Sequence, residues 1–312
     1  MHPNIGQGSA KQWHRFCLPT QQAPVRTRAT LTAHTPMPWN ATLDLRYQRR
    51  HDTTTVTHKH LGPLRIFHSH YPQGPGICHN VLIHPPGGLV GGDRLDIRIH
   101  AEADCHALLT TPGATRFYRS LGPVATQSVS IQLEPGAKLE WLPMETLAYP
   151  GCNAINSLRA ELAPDAQLLA WEVTALGLPV SGQPFDTGCL QQRIEIVDCW
   201  LDQGRLDALD KRLLDSPLGL AGLRCLGTLV LASGSPWPLQ AREALLQAVR
   251  ETLAQSPAAP HSGATFPHDR VLVLRALGPL VEPVMQTLKA AWRSVRASAW
   301  GAQVAEPRIW QT

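Results

Sequence analysis

Histidine is the first residue type in this sequence that invites a chemical reading. Twelve of the fourteen lie before residue 107, among them two H-x-H pairs, His58/His60 and His68/His70, followed by His79, His84, His100 and His106. On a β-strand, residues i and i+2 face the same side, so either pair could grip one metal ion. A metalloenzyme built on such a pair needs a nearby carboxylate and a further histidine. After His70 comes Tyr71-Pro72-Gln73-Gly74 and after His60 comes Leu61-Gly62-Pro63, so neither pair has that carboxylate. The plainer reading is exposed strand histidines, with a transient metal contact as the alternative. Cys78-His79 and Cys105-His106 are neighbours in sequence, but adjacent strand residues point to opposite faces, which makes them poor nucleophile–base pairs.

Three carboxylates stand out by their surroundings. Asp93 ends the run His84-Pro85-Pro86-Gly87-Gly88-Leu89-Val90-Gly91-Gly92-Asp93. A phosphate loop would carry a cation there and open a helix; here an acid stands in that place and a strand follows. The glycines read instead as a sharp turn, with φ > 0 or close backbone packing at Gly91 and Gly92, that delivers Asp93 to the start of a strand. Glu145 follows Trp141-Leu142-Pro143-Met144, and Glu172 lies inside Leu168-Leu169-Ala170-Trp171-Glu172-Val173. A carboxylate flanked by apolar residues is paired, raised in pKa, or lines a polar channel. No G-x-S-x-G elbow and no H-E-x-x-H helix occurs.

The elements that must position these residues change character along the chain. From Leu43 to about Val197 the period is mostly two: Leu43, Leu45 and Tyr47 alternate with Asp44, Arg46 and Gln48, and Leu95, Ile97 and Ile99 with Arg94, Asp96 and Arg98. Val129, Ile131 and Leu133 continue the pattern, as do Leu139 with Trp141 and Ile194 with Ile196. Short runs bounded by Gly, Pro or Asp predict half-buried antiparallel strands in a layered β body, sandwich-like or β-helical. In the last third the period becomes helical. Ser235-Pro236 reads as an N-cap with Pro at the first position of a helix over about 236–255. A second helix, Glu282–Ala299, presents Val284, Leu288, Trp292 and Val295 on one face and leaves Lys289, Arg293 and Arg296 exposed. The expected fold is mainly β: a β body over about 43–234 with a few helices in the C-terminal third, after a poorly ordered, acid-free extension over 1–42.

Composition narrows the function classes. A hydrophobic content of 43% and a mean hydropathy of −0.13 describe a chain able to bury a core, not a disordered or fibrous one. No apolar run approaches the roughly 18 residues a membrane-spanning helix needs. The net charge of +4 comes from 28 scattered basic residues without a clustered tract, which argues against nucleic acid. Seven cysteines without a C-x-x-C pair suit reduced thiols in a cytoplasmic protein.

Several segments in one order resemble the UreD family of urease accessory proteins, called UreH in some systems. They are Gly62-Pro63-Leu64-Arg65, the run from His84 to Leu95, Leu109–Ser120 (LTTPGATRFYRS) and Leu142-Pro143-Met144-Glu145-Thr146. Trp171-Glu172, Gly177, Ser181-Gly182, Phe185 and the closing Pro307-Arg308-Ile309-Trp310 extend the resemblance over about 43–312. Two positions depart from the family pattern: Leu178 where Arg is common and Gln183 where Glu is common. The resemblance implies a non-catalytic maturation factor that has no cofactor of its own. Such a protein joins UreF and the GTPase UreG on apo-urease and assists nickel insertion, with nickel in transit through a polar interior. Asp93, Glu145 and Glu172 are then the candidates for that route. A His-dependent, cupin-like metalloenzyme is the alternative, and it expects a tightly held metal instead.

Overall fold

The structure, a computed structural model, describes residues 38–302 and 305–311, and the alternating segments form two stacked β-layers in it. Up to residue 37 the acid-free extension lies outside the described residues, and the first strand starts at Asn40, slightly before the expected Leu43. Sheet one contains β1 (Asn40–Arg50), β2 (Thr53–Leu61), β5 (Arg94–Ala101), β8 (Ala125–Leu133), β11 (Asn153–Leu162), β14 (Cys189–Ile196) and β15 (Trp200–Asp207). Their order is β15-β14-β11-β8-β5-β1-β2. Sheet two runs β17-β18-β16-β12-β9-β6-β4-β3. Its strands are β3 (Arg65–Ile66), β4 (Ile77–Ile83), β6 (His106–Thr110), β9 (Lys138–Leu142), β12 (Gln167–Leu178), β16 (Cys225–Ser233), β17 (Ser262–His268) and β18 (Val271–Gly278). The short β10 (Thr146–Ala148) and β13 (Gln183–Pro184) pair with β12, and β7 (Thr115–Phe117) pairs with β10.

The mainly β, layered architecture agrees with the expectation, but strand direction does not. From β4 to β14 the chain passes alternately between the layers, and each pass adds a parallel strand: β5, β8, β11 and β14 onto β1 in sheet one, and β4, β6, β9 and β12 in sheet two. Antiparallel pairs are confined to the flanks of this coil, as in β1 with β2, β14 with β15, and β12 with β16 and β18 beyond it. Period-two alternation reports that one face is buried and is silent on direction. Leu43, Leu45, Ile97, Ile99, Val129 and Ile131 fill the space between the sheets together with Leu139, Leu168 and Val230.

A third layer covers the outer face of sheet two. It contains α2 (Leu239–Ala254) and α3 (Val281–Trp300), whereas the short α1 (Lys211–Asp215) packs Leu214 into the core between the sheets. α2 begins later than expected because Ser235 does not cap it. Its hydroxyl instead donates to Asp165 Oδ1 at 2.9 Å, tying down the turn before β12, and Pro238 takes the N-cap position. On α3 the stripe Val284, Leu288, Trp292 and Val295 is fully buried, as its spacing predicts. At about 1.5–3 kcal/mol per buried aliphatic or aromatic side chain, this stripe is the main attachment of the helix.

The basic side of α3 is a correction. Arg293 is exposed and pairs with Glu306, and Lys289 is half-buried with its ammonium 5.0 Å from the centre of the Trp310 ring. Arg296, expected in solvent, is 0% exposed, because Glu140 on β9 is buried opposite it. Glu140 Oε1 accepts from His106 Nε2 at 2.9 Å, and Oε2 accepts from Trp292 Nε1 at 2.6 Å and lies 3.6 Å from Arg296 Nε. Burial pushes this carboxyl up, but the His106 hydrogen bond and the Arg296 charge outweigh it and hold the group below its usual value.

The glycine run is a turn held by both of the causes considered. Gly92 has φ +96°, in the left-handed region, whereas Gly91 does not. At Gly91 the constraint is contact: a Cβ would stand 2.8 Å from the Pro123 carbonyl oxygen.

Two stability outcomes follow. Glu140→Ala leaves Arg296 buried without its counter-charge, so urea denaturation should show a loss of about 3–5 kcal/mol, largely recovered when Arg296→Met is added. An additive double variant would contradict this pairing. Gly92→Val forces a β-branched residue to positive φ and is expected to cost at least about 1–2 kcal/mol in the same assay.

Candidate functional site

The interior between the sheets is not uniformly apolar. In three successive strands of sheet one a polar residue occupies the buried phase: Gln127 between Ala125 and Val129, Asn156 between Ala154 and Leu158, and Gln192 between Leu190 and Ile194. Parallel register places the three side by side, so each coil adds one amide to the same row. From sheet two, Glu172 on β12 and its cross-strand neighbour Thr228 on β16 face this row. These groups border a cavity of about 260 Å³ that also meets Trp141, Ala170 and Leu226.

Glu172 is the one carboxylate in the middle of this band. Thr146 Oγ1 donates to its Oε1 at 2.6 Å. Asn156 Nδ2 reaches Thr146 Oγ1 at 3.5 Å, Gln127 Nε2 donates to Asn156 Oδ1 at 3.2 Å, and Gln192 donates to Thr174 Oγ1. Burial pushes the Glu172 carboxyl up to about 7, against the opposing effect of hydrogen bonds from Thr146, Asn156 and Thr174. Among the described residues no cationic side chain pairs with it, in contrast to Glu140. Glu172 therefore exchanges its proton near neutral pH inside a cavity large enough for water. Its neighbours are amide and hydroxyl oxygens, which bind a hard or borderline cation weakly enough to release it.

A second cavity of about 240 Å³ continues the band at the glycine turn, lined by His84, Gly87, Gly88 and Thr111–Arg116. Gln127 and Trp141 line both cavities and form the wall between them. Asp93 sits at this end, but both of its oxygens are taken by backbone: Oδ1 accepts from Trp39 N and Oδ2 from Val90 N, each at 2.9 Å. Its charge still acts on His84, whose pKa burial lowers and Asp93 raises. Glu145 lies elsewhere. The flanking Met144 and Leu147 pack into the helix-side core, and the Glu145 charge acts on Cys225 and Lys289 in that layer. The fold thus brings Glu172 into the polar band, leaves Asp93 at its margin and sets Glu145 on the other side of sheet two. Among the described residues no three His, Cys, Asp or Glu side chains converge to hold a metal ion.

The H-x-H pairs stand apart from this interior. His58 and His60 are exposed on β2, their rings stacked 6.3 Å apart, and His70 is exposed opposite the buried His79. Gln127, Asn156, Gln192 and Thr228 were not among the residues singled out by sequence. For the three amides the signal is a polar residue in the apolar phase of an alternating strand; Thr228 lies in the continuously buried β16, where no alternation marks it.

Comparison with known proteins points to one family. A family profile described as UreD urease accessory protein matches residues 40–311. The urease accessory protein UreD of Variovorax paradoxus is 50% identical over 276 residues, covering 88% of this chain and 100% of its own length. UreD of Paracidovorax citrulli is 51% identical over 274 residues, with 88% and 99% covered. UreD of Leptothrix cholodnii is 49% identical over 283 residues, with 88% and 100% covered. By this match along almost its whole β body and helical layer, the chain belongs to the UreD family of urease accessory proteins.

Proposed function

We propose that this chain is a non-catalytic scaffold for urease maturation that acts in the cytoplasm with UreF and UreG, docks on apo-urease and passes nickel toward the urease active site. The observation that carries this reading is Glu172 at a cavity large enough for water, with hydroxyl and amide oxygens around it. A cargo ion needs ligands that exchange; a closed thiolate site would trap it. The six described cysteines are free, five of them buried, which suits a reducing compartment. No described helix is long and apolar enough to cross a membrane. The cupin-like alternative expects a barrel with converging imidazoles, whereas the fold is a two-layer coil with its H-x-H pairs on the surface.

Glu172→Gln keeps shape and hydrogen bonding and removes the charge. The variant is expected to assemble with UreF, UreG and apo-urease at parental yield while nickel in the urease falls about tenfold. Co-purification and metal analysis on the same samples check this; normal nickel content contradicts the reading.

The same variant has a pH signature. The folded pKa of Glu172 lies above its unfolded value, so ionisation opposes folding. The penalty is absent below about pH 4.5, grows as pH rises and is complete above about pH 7. Water in the cavity reduces it, and about 1–3 kcal/mol is expected. Glu172→Gln should therefore exceed the parent in urea stability at pH 8 and equal it near pH 5.

A further inference from the structure

The polar band reaches the edge strand of sheet one and the last strand but one of sheet two. In sheet one the row Gln127–Asn156–Gln192 continues to Gly204 on the edge strand β15, and in sheet two Glu172–Thr228 continues to Arg275 on β18. At Gly204 the row has no side chain, and an added Cβ would meet nothing within 4 Å. The neighbouring row, Val129–Leu158–Ile194, is apolar until it ends in Asp202 on the same edge strand. Arg275 extends from sheet two to meet Asp202 on sheet one, with Nη2 2.6 Å from Oδ2. Asp202, Gly204 and Arg275 line the same cavity as Glu172. Arg275, Leu226 and Thr228 also line an outer groove of about 650 Å³ bordered by Gly219–Ala221 and His261–Thr265. The inner cavity and the outer groove therefore meet at Arg275.

An ion pair this exposed, 53% for Arg275 and 28% for Asp202, adds little to stability and opens readily. Across the side of a cavity, such a pair acts on access: a fixed guanidinium repels cations, and its release leaves a carboxylate facing inward.

We propose that the Asp202–Arg275 pair latches a lateral mouth of the polar band, and that a hydrated divalent cation gains the interior by replacing Arg275 on Asp202 and moving past Thr228 to Glu172. This rests on the reading of Glu172 as part of a nickel route, but it assigns the inlet, which that reading leaves open. The displaced Arg275 turns into the outer groove that it already borders. Gly204 keeps the opening free of a side chain.

A thiol introduced by Thr228→Cys, just inside the mouth, reports access in the full chain co-purified with UreF. Its rate of modification by a small trimethylammonium thiosulfonate is measured against the background of the parent cysteines. Arg275→Ala is expected to raise the rate about tenfold, by removing a positive charge from the path of the cationic reagent. Gly204→Trp, which fills open space, is expected to lower it by a similar factor. Saturating Ni²⁺ should slow labelling, and Asp202→Asn should abolish that protection. A rate indifferent to Arg275→Ala, or Ni²⁺ protection that survives Asp202→Asn, overturns the proposal; both results are independent of Gly204→Trp and its folding. The reading of Glu172 is tested separately by urease nickel content. Normal nickel with Glu172→Gln would defeat that reading while the labelling still located the mouth, and indifferent labelling with nickel-poor urease would place the inlet elsewhere.

Discussion

A carboxylate enclosed between two β-layers must have donors, a counter-charge or water, and the interior of this protein is arranged around that constraint at Glu172. Burial raises its pKa to about 7, and the groups that oppose the rise are neutral: Thr146, Asn156 and Thr174. The coiled chain supplies them economically. Because β8, β11 and β14 stack in parallel register, a polar residue at the same phase of each strand becomes a continuous row of amides. An apolar row would leave Glu172 neutral and inert. The amide row and the cavity beside it keep the group close to its titration point.

Glu140, fully buried, meets the same constraint in the opposite way. Glu140 faces the helix side of sheet two and is bound by His106, Trp292 and Arg296, which hold it ionised. Those contacts join β6, β9 and α3, so the charge serves to fix the helical layer in place. One acid is fully engaged and fully buried; the other has weaker partners and borders a cavity. The difference separates a structural role from one available to a passing ion.

Much of this architecture could be read before the structure. Alternation at Leu95/Ile97/Ile99 and Val129/Ile131/Leu133 identified buried faces, and the apolar flanks of Glu172 marked it as unusual. Strand direction was not legible, since a half-buried strand alternates in the same way whether its neighbour is parallel or antiparallel. Helical spacing places Arg296 in solvent because it reports only local geometry, and the partner Glu140 lies on a distant strand. Asp93 was recognised in its turn, but its engagement by the Trp39 and Val90 amides depends on how that turn folds back. Gln127, Asn156 and Gln192 were visible one at a time as breaks in an apolar phase. Only the register shows that they form one row.

If nickel crosses this protein as proposed, it occupies the polar band between the sheets. Anomalous diffraction at the nickel absorption edge, from crystals of the complex with UreF exposed to Ni²⁺, tests it most directly. Nickel is then expected between the two layers, within coordinating distance of Glu172. Nickel confined to the surface histidines His58 and His60, with the interior empty at full exposure, would contradict it.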